Sequence, residues 1–184
     1  MPYIDFVKFG SIRNIDKIFP LVIFHVNTTG LNKSTDKIIE ITANKYDINF
    51  KLIETFSTFV NPGKPISKEA TSINHITDSM VSDSPPFYQI SGQFKNFIDG
   101  YNICGYFLRF DLQFLYKAGI DFSDKVKYYD LREMALDKIP KEKVDNYQLE
   151  TVCEYYNVSC FYNRCETIES LFEEMLKKHK KYDV

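Results

Sequence analysis

No stretch of this chain is apolar for long enough to span a membrane as a helix. Its N-terminus, MPYIDFVKFGSIRNIDKIF, has neither a continuous apolar segment nor a small-residue cleavage site, so no signal peptide is read there. There is no basic excess: 23 Lys and Arg stand against 25 Asp and Glu, for a formal net charge of −2. A protein that grips nucleic acid mainly through phosphates is usually basic, because lysines and arginines supply the counterion release. The two local clusters, Lys138 to Lys143 and Lys177 to Lys181, read as solvated faces. The four cysteines (Cys104, Cys153, Cys160, Cys165) lack the spacing of a zinc ribbon or a small disulfide domain, and point to a cytosolic, reduced protein. Internal repeats, low-complexity tracts and interdomain linkers are also missing.

What remains is an ordinary globular composition, 44% hydrophobic and 16% aromatic over 184 residues, which suits one domain with a real core. Residues 1–18 have no clear period and read as an N-terminal extension, 19–178 as the domain, and 179–184 as a tail. Leu21 to Val26 is nearly all apolar, as in a strand buried on both faces. Lys37 to Asn49 and Lys51 to Val60 read as two further strands joined by a turn near Asp47–Phe50, with Asn61-Pro62-Gly63 ending the third. Helices are expected over Ser67–Ile73 and Pro85–Ile98, the latter with Phe87, Ile90, Phe94, Phe97 and Ile98 on one stripe. Tyr101–Gly105 reads as a strand, Asp111–Ala118 as a helix stopped by Gly119, and Val126–Tyr129 as a last strand. Asp130 is suited to cap the next helix, and Gln148–Tyr156 and Glu166–Lys178 close the chain as helices. Three early strands followed by alternating helix and strand imply a mixed α/β sheet with helices on both faces.

Residues 21 to 31, LVIFHVNTTGL, are the most informative stretch. An apolar strand running into Thr-Thr-Gly-Leu resembles the first motif of the DnaQ-like 3′–5′ exonucleases, where the strand carries Asp-x-Glu before the same turn. His25 stands at the Asp position here and Asn27 at the Glu position. Ile38-Ile-Glu-Ile-Thr42 resembles the family's second strand. Phe59-Val-Asn-Pro-Gly63, Pro65-Ile66, Ala70-Thr71 and Ile76-Thr-Asp78 to Pro86-Phe87 resemble its segment after the third. His75 falls on a glycine position of that segment and reads as a surface loop residue. The second catalytic motif, usually Ala-His-Asn-Ala-x-Phe-Asp, appears as Gly105-Tyr106-Phe107-Leu108-Arg109-Phe110-Asp111. Asp111 is kept, while Tyr106 and Phe107 replace the polar pair. Anchoring the third motif on Thr167-Ile-Glu-Ser-Leu-Phe172 puts Cys160 at the histidine position and Cys165 at the aspartate. A register slip would nominate Glu166 as the acid instead, without supplying a histidine.

The resemblance, over about residues 19 to 176, implies a ribonuclease-H-like fold. Its sheet would have five strands in the order 3-2-1-4-5, the second antiparallel, with helices on both sides. The family's chemistry uses two divalent cations, held by four carboxylates, with a histidine as general base. Two such ions about 4 Å apart repel by roughly 4 kcal/mol even at the dielectric of water, so the carboxylates are a physical requirement. Asp111 with neutral His25, Asn27 and protonated cysteines carries about −1, against about −4 in the family pattern. No Mg²⁺ or Mn²⁺ pair is therefore expected, and the chain reads as a pseudo-exonuclease.

The resemblance also places Thr28, Thr29 and Leu31 on the 3′-nucleotide pocket. The plainer reading is that Thr-Thr-Gly shapes the turn while Leu31 packs on the core. Tyr106 and Phe107 could offer faces for stacking bases, while Phe110 reads as core. His25, Asp111, Cys160 and Cys165 are all residue types that ligate zinc, so a zinc site in the old cleft is an alternative. Its counterpart is that the cysteines merely pack as small apolar groups. The expected role is a module binding single-stranded nucleic acid weakly or a protein partner. The alternatives are an active exonuclease with an atypical site and a zinc protein.

Overall fold

The strand β1 (Leu21–Thr28) is flanked by two cores, which explains its uninterrupted apolar start. Successive strand side chains face opposite ways. Val22, Phe24 and Val26 enter one core with Ile90, Phe94, Leu112 and Leu115, while Leu21 and Ile23 enter another with Met134, Val152, Leu171 and Phe172. Burying any one of these large side chains contributes about 1.5–3 kcal/mol. The alternation continues past the apolar run, so His25 and Asn27 emerge on the second face, at the strand's C-terminal end. The computed structural model describes residues 4–8, 12, 15–122 and 124–180.

Around β1, the strand β2 (Ile38–Tyr46) pairs antiparallel, β3 (Leu52–Phe59) pairs antiparallel with β2, and β4 (Asn102–Gly105) and β5 (Tyr128–Asp130) continue in parallel on the other side. The order β3-β2-β1-β4-β5 is the expected ribonuclease-H-like one. The short helices α1 (Lys68–Asn74) and α2 (Asp78–Val81) follow β3. Helices α3 (Phe87–Ile98) and α4 (Leu108–Lys117) cover the first core, and α5 (Leu131–Lys138), α6 (Leu149–Tyr156) and α7 (Arg164–Lys180) cover the second. None of the described helices is long and apolar enough to cross a membrane.

The turn between β2 and β3 is built by Asp47, whose side chain accepts the backbone N–H of Asn49 and of Lys51. Phe50 takes a left-handed conformation there, φ 58°, which is unfavourable for a side chain of its size. Its ring packs 4.9 Å from those of both Phe19 and Tyr46, which offsets the cost.

Two helix starts differ from the sequence expectation for one reason, capping by a side chain that precedes the helix or lies away from it. Helix α4 starts at Leu108 rather than Asp111, because Asp130 accepts the N–H groups of Phe107 and Arg109. Helix α7 starts at Arg164 rather than Glu166, because the Asn163 side chain accepts the N–H of Cys165. Residues 4–8, within the expected N-terminal extension, lie beside β5: Val7 N–H donates to the Tyr128 carbonyl at 2.9 Å, and Ile4 is buried in the first core. Of the expected C-terminal tail, helix α7 runs on through Lys180, and residues 181–184 lie outside the described residues.

Candidate functional site

The C-terminal end of β1, the first turn of α4 and the first turn of α7 carry four of the five family catalytic positions, His25, Asn27, Asp111 and Cys165. Asp111, 1% exposed, has its Oδ2 3.2 Å from His25 Nδ1. The nitrogen facing the carboxylate carries the proton in this arrangement, an assignment made from the contact itself. The Val26 N–H also donates to this carboxylate. Burial pushes the Asp111 carboxyl up, and His25 together with these hydrogen bonds pulls it part of the way back. Removing the imidazole would leave the buried carboxylate short of one hydrogen-bond donor, a loss of about 1–3 kcal/mol.

Asn27 lies opposite Glu40 in the β1–β2 register, and its Nδ2 donates to Glu40 Oε2 at 2.6 Å. Glu40 is thus a second carboxylate beside the site, and the cross-strand pairing that puts it there was not part of the motif reading. Cys165 turns inward on α7: its thiol lies 3.2 Å from the Thr42 carbonyl and 3.3 Å from Thr42 Oγ1. Burial pushes that thiol up to about 12, so at neutral pH it is a protonated donor. Glu166, the alternative acid, is exposed and bonded to Asn163, so of the two candidates it is Cys165 that faces the sheet.

Cys160 goes elsewhere. It is exposed on the loop before α7, and its thiol bonds to that of Cys153, whose pKa is pushed up to about 12 by burial and by this neighbour. The set His25, Asp111, Cys160 and Cys165 is therefore split three ways, toward the His25–Asp111 contact, toward Thr42 and toward Cys153. Among the described residues no three His, Cys, Asp or Glu side chains are gathered so as to hold a metal ion. The set fits a magnesium pair no better, since that pair wants several free hard oxygens. The Asp111 carboxylate is already engaged by His25 and Val26.

The Thr-Thr-Gly-Leu turn is held by its own hydroxyls. Thr28 donates to the Gly30 carbonyl at 2.7 Å, and Thr29 donates to Asp36 at 2.9 Å while accepting the Lys37 N–H. Partial burial pushes the Asp36 carboxyl up, but bonds from Lys64, the Asn32 N–H and Thr29 outweigh it and hold the group below its usual range. Leu31 does not pack on the core; it is 79% exposed at the tip of the turn.

The two aromatic residues of the second motif divide. Tyr106, 5% exposed, donates its hydroxyl to the Tyr147 carbonyl at 2.8 Å, so its ring cannot receive a base. Phe107, 46% exposed, is turned outward by a left-handed backbone, φ 58°. Its ring stacks on Phe110 at 5.8 Å and 17°, and the Arg132 guanidinium lies 5.1 Å from its centroid.

Two residues of the cleft lay outside the catalytic motifs. Asp130, 1% exposed, accepts the N–H of Phe107 at 2.9 Å, of Arg132 at 3.0 Å and of Arg109 at 3.3 Å, and so ties β5 to the starts of α4 and α5. Burial pushes its carboxyl up to about 6 in spite of these bonds. Arg164 pairs with Glu150 at 3.5 Å, and its buried Nε–H has no partner. An unsatisfied donor of this kind costs about 1–3 kcal/mol. The cap of Asp130 on α5 is the one expected from the sequence, whereas its bonds to the start of α4 come from outside that helix and leave no periodic signal.

Residues 22–161 match the RNase T exonuclease family, and the chain belongs to it, as a DnaQ-like exonuclease domain. It is 32% identical over 162 residues to the PolC-type DNA polymerase III of Caldanaerobacter subterraneus subsp. tengcongensis, a match covering 85% of this chain and 12% of that protein. It is 39% identical over 92 residues to the DNA polymerase III subunit epsilon of Treponema pallidum, covering 50% of this chain and 42% of that one. The chain thus spans a small part of the length of the PolC-type relatives. Among solved structures, exonuclease I without ligand superposes with a TM-score of 0.74 at 14% identity, over 88% of this chain and 42% of that one. Exonuclease X in complex with 5′ overhanging duplex DNA superposes with a TM-score of 0.67 at 19% identity, over 86% and 93%.

Proposed function

We propose that this domain is a catalytically silent exonuclease, kept as a module that binds a single-stranded nucleic-acid end in the old cleft without hydrolysing it. One observation carries the reading: Asp111, the one carboxylate left at the five catalytic positions, is buried and already bonded to His25 and to the Val26 amide. The other positions hold an amide bonded to Glu40 and a thiol bonded to Thr42, with Cys160 directed away. None of these supplies the negative charge that two divalent cations require. Binding is supported by the exposed Phe107 ring beside the cleft and by the structural neighbour whose described complex contains DNA. A cytosolic, reducing location accords with four free thiols.

The reading is tested by incubating the purified chain with labelled single-stranded DNA in Mg²⁺ and in Mn²⁺. No release of mononucleotides is expected. Steady metal-dependent release from protein free of contaminating nuclease would overturn it. A protein-partner role is the second reading, favoured by the exposure of two large apolar side chains, Leu31 on the first motif and Phe107 on the second.

A further inference from the structure

We propose that the cleft holds a phosphodiester through Arg132 and Arg164, in place of the divalent cations its family uses. The proposal rests on the silent-site reading above and deepens it. The topology brings the two side chains to one place from different helices. Arg132 is the second residue of α5, which begins where β5 ends, and Arg164 is the first residue of α7, next to the inward-facing Cys165. Hydrogen bonds place the three helix starts around the end of β1. The Asp130 carboxylate accepts the N–H of both Phe107 and Arg132, which ties the start of α5 to that of α4, and the Arg132 guanidinium lies over the exposed Phe107 ring. Asp111 of α4 meets His25 of β1, and Cys165, next to Arg164, sets its thiol 3.8 Å from the Ile23 carbonyl of the same strand. The starts of α4, α5 and α7 thus border one cleft.

Neither guanidinium is firmly committed. The contact of Arg164 with the largely exposed Glu150, at 3.5 Å, exceeds the 2.7–2.9 Å of a good charge-assisted bond. Its Nε–H is buried and has no partner. Among the described residues Arg132 makes no ion pair within 4.0 Å, and its guanidinium lies over the Phe107 ring. The anions that would repel a phosphate are better satisfied than the arginines. Asp111 is bonded to His25 and Val26, Glu40 to Asn27, and Asp130 to three backbone N–H groups. A phosphate swings Arg164 off Glu150, leaves that carboxylate to water, and accepts both the orphaned Nε–H and an Nη–H in the two-pronged geometry that suits a guanidinium. The base next to that phosphate then lies against Phe107.

The test is fluorescence anisotropy of a labelled deoxythymidine decamer with the whole chain in EDTA. Two phosphate contacts give a log–log salt slope of about −1.4, so affinity falls roughly sevenfold between about 50 and 200 mM salt. Arg164→Gln and Arg132→Gln should each halve that slope, to about −0.7. Arg164→Lys should restore the slope, and Lys95→Gln, on α3 across the sheet, should leave it unchanged. Adding Mg²⁺ should not tighten binding. The arginine site is overturned by absence of binding in EDTA at low salt, or by slopes that neither glutamine variant changes. Hydrolysis in a parallel Mg²⁺ arm would instead overturn the silent-site reading, which separates the two failures.

Discussion

Restoring a catalytic carboxylate to this site should destabilise the protein, and His25→Asp is the sharpest way to see it. The imidazole Nδ1 lies 3.2 Å from Asp111 Oδ2, and an aspartate at position 25 places an oxygen where that nitrogen now sits. Two carboxylates with charge centres about 4 Å apart repel by roughly 4 kcal/mol at an effective dielectric of 20. The pair can escape by taking up one proton. At pH 7 that costs about 4 kcal/mol for an acid of ordinary pKa, of which a shared hydrogen bond returns about 1. The expected loss is therefore about 3 kcal/mol at pH 7. The folded pair has a raised pKa, so it binds more protons than the unfolded chain, and the variant must regain stability on acidification, by nearly 3 kcal/mol between about pH 7 and pH 5. His25→Asn keeps a donor at the same place without the charge and should lose about 1 kcal/mol at both pH values. Urea midpoints of the three proteins at the two pH values measure this. The reasoning fails if His25→Asp matches His25→Asn throughout. It also fails if Mg²⁺ alone returns the aspartate variant to wild-type stability, since the remaining ligands should be too few to hold the cation.

Three other outcomes are expected. Asp130, with its carboxyl at about 6 in the folded state against about 4 unfolded, makes stability fall by up to about 3 kcal/mol as pH rises from about 4 to 6, and Asp130→Asn should flatten that part of the urea-midpoint profile. Tyr106→Phe should lose about 1 kcal/mol of stability with the bond to the Tyr147 carbonyl and leave oligonucleotide affinity unchanged, whereas Phe107→Ala should weaken binding by about 1–3 kcal/mol with little change in melting temperature. Gly30→Ala would set a Cβ 2.5 Å from Asp36 Oδ2 and break the Thr29–Asp36–Lys64 cluster, lowering stability by about 1–3 kcal/mol in thermal unfolding.

The topology was legible because the signals that carry it are local. The double-sided apolar run of β1, the alternation leading into His25 and Asn27, and the strand-ending Asn61-Pro62-Gly63 each sit within a few residues. The contact of His25 with Asp111 followed from aligning two motifs 86 positions apart. What escaped depends on backbone geometry or on partners far along the chain. Tyr106 and Phe107 are adjacent in sequence and equally aromatic, yet one left-handed residue sends the second ring outward while the first goes into the core beside Tyr147. Cys160 was aligned with the catalytic histidine, but the left-handed cap at Asn157 ends α6 and folds the chain back, with the Val158 N–H on the Cys153 carbonyl, so the thiol meets Cys153 instead. Leu31 looked like a core residue by type, and the hydroxyl bonds that close its turn hold it at the tip.

A physical trade-off connects the intact fold to the altered site. Four acids converging on one cleft repel one another whenever the cations are absent, so such a site costs the apo protein stability. Three of the four substitutions here replace that repulsion with an internal bond: His25 with Asp111, Asn27 with Glu40, Cys165 with Thr42. These bonds tie β1 to α4, β1 to β2 and α7 to β2 with no cation taking part. The cleft keeps its shape without a ligand, and no cation is needed there to neutralise a cluster of acids before a phosphate can approach. That condition is what the proposed strand-holding role requires.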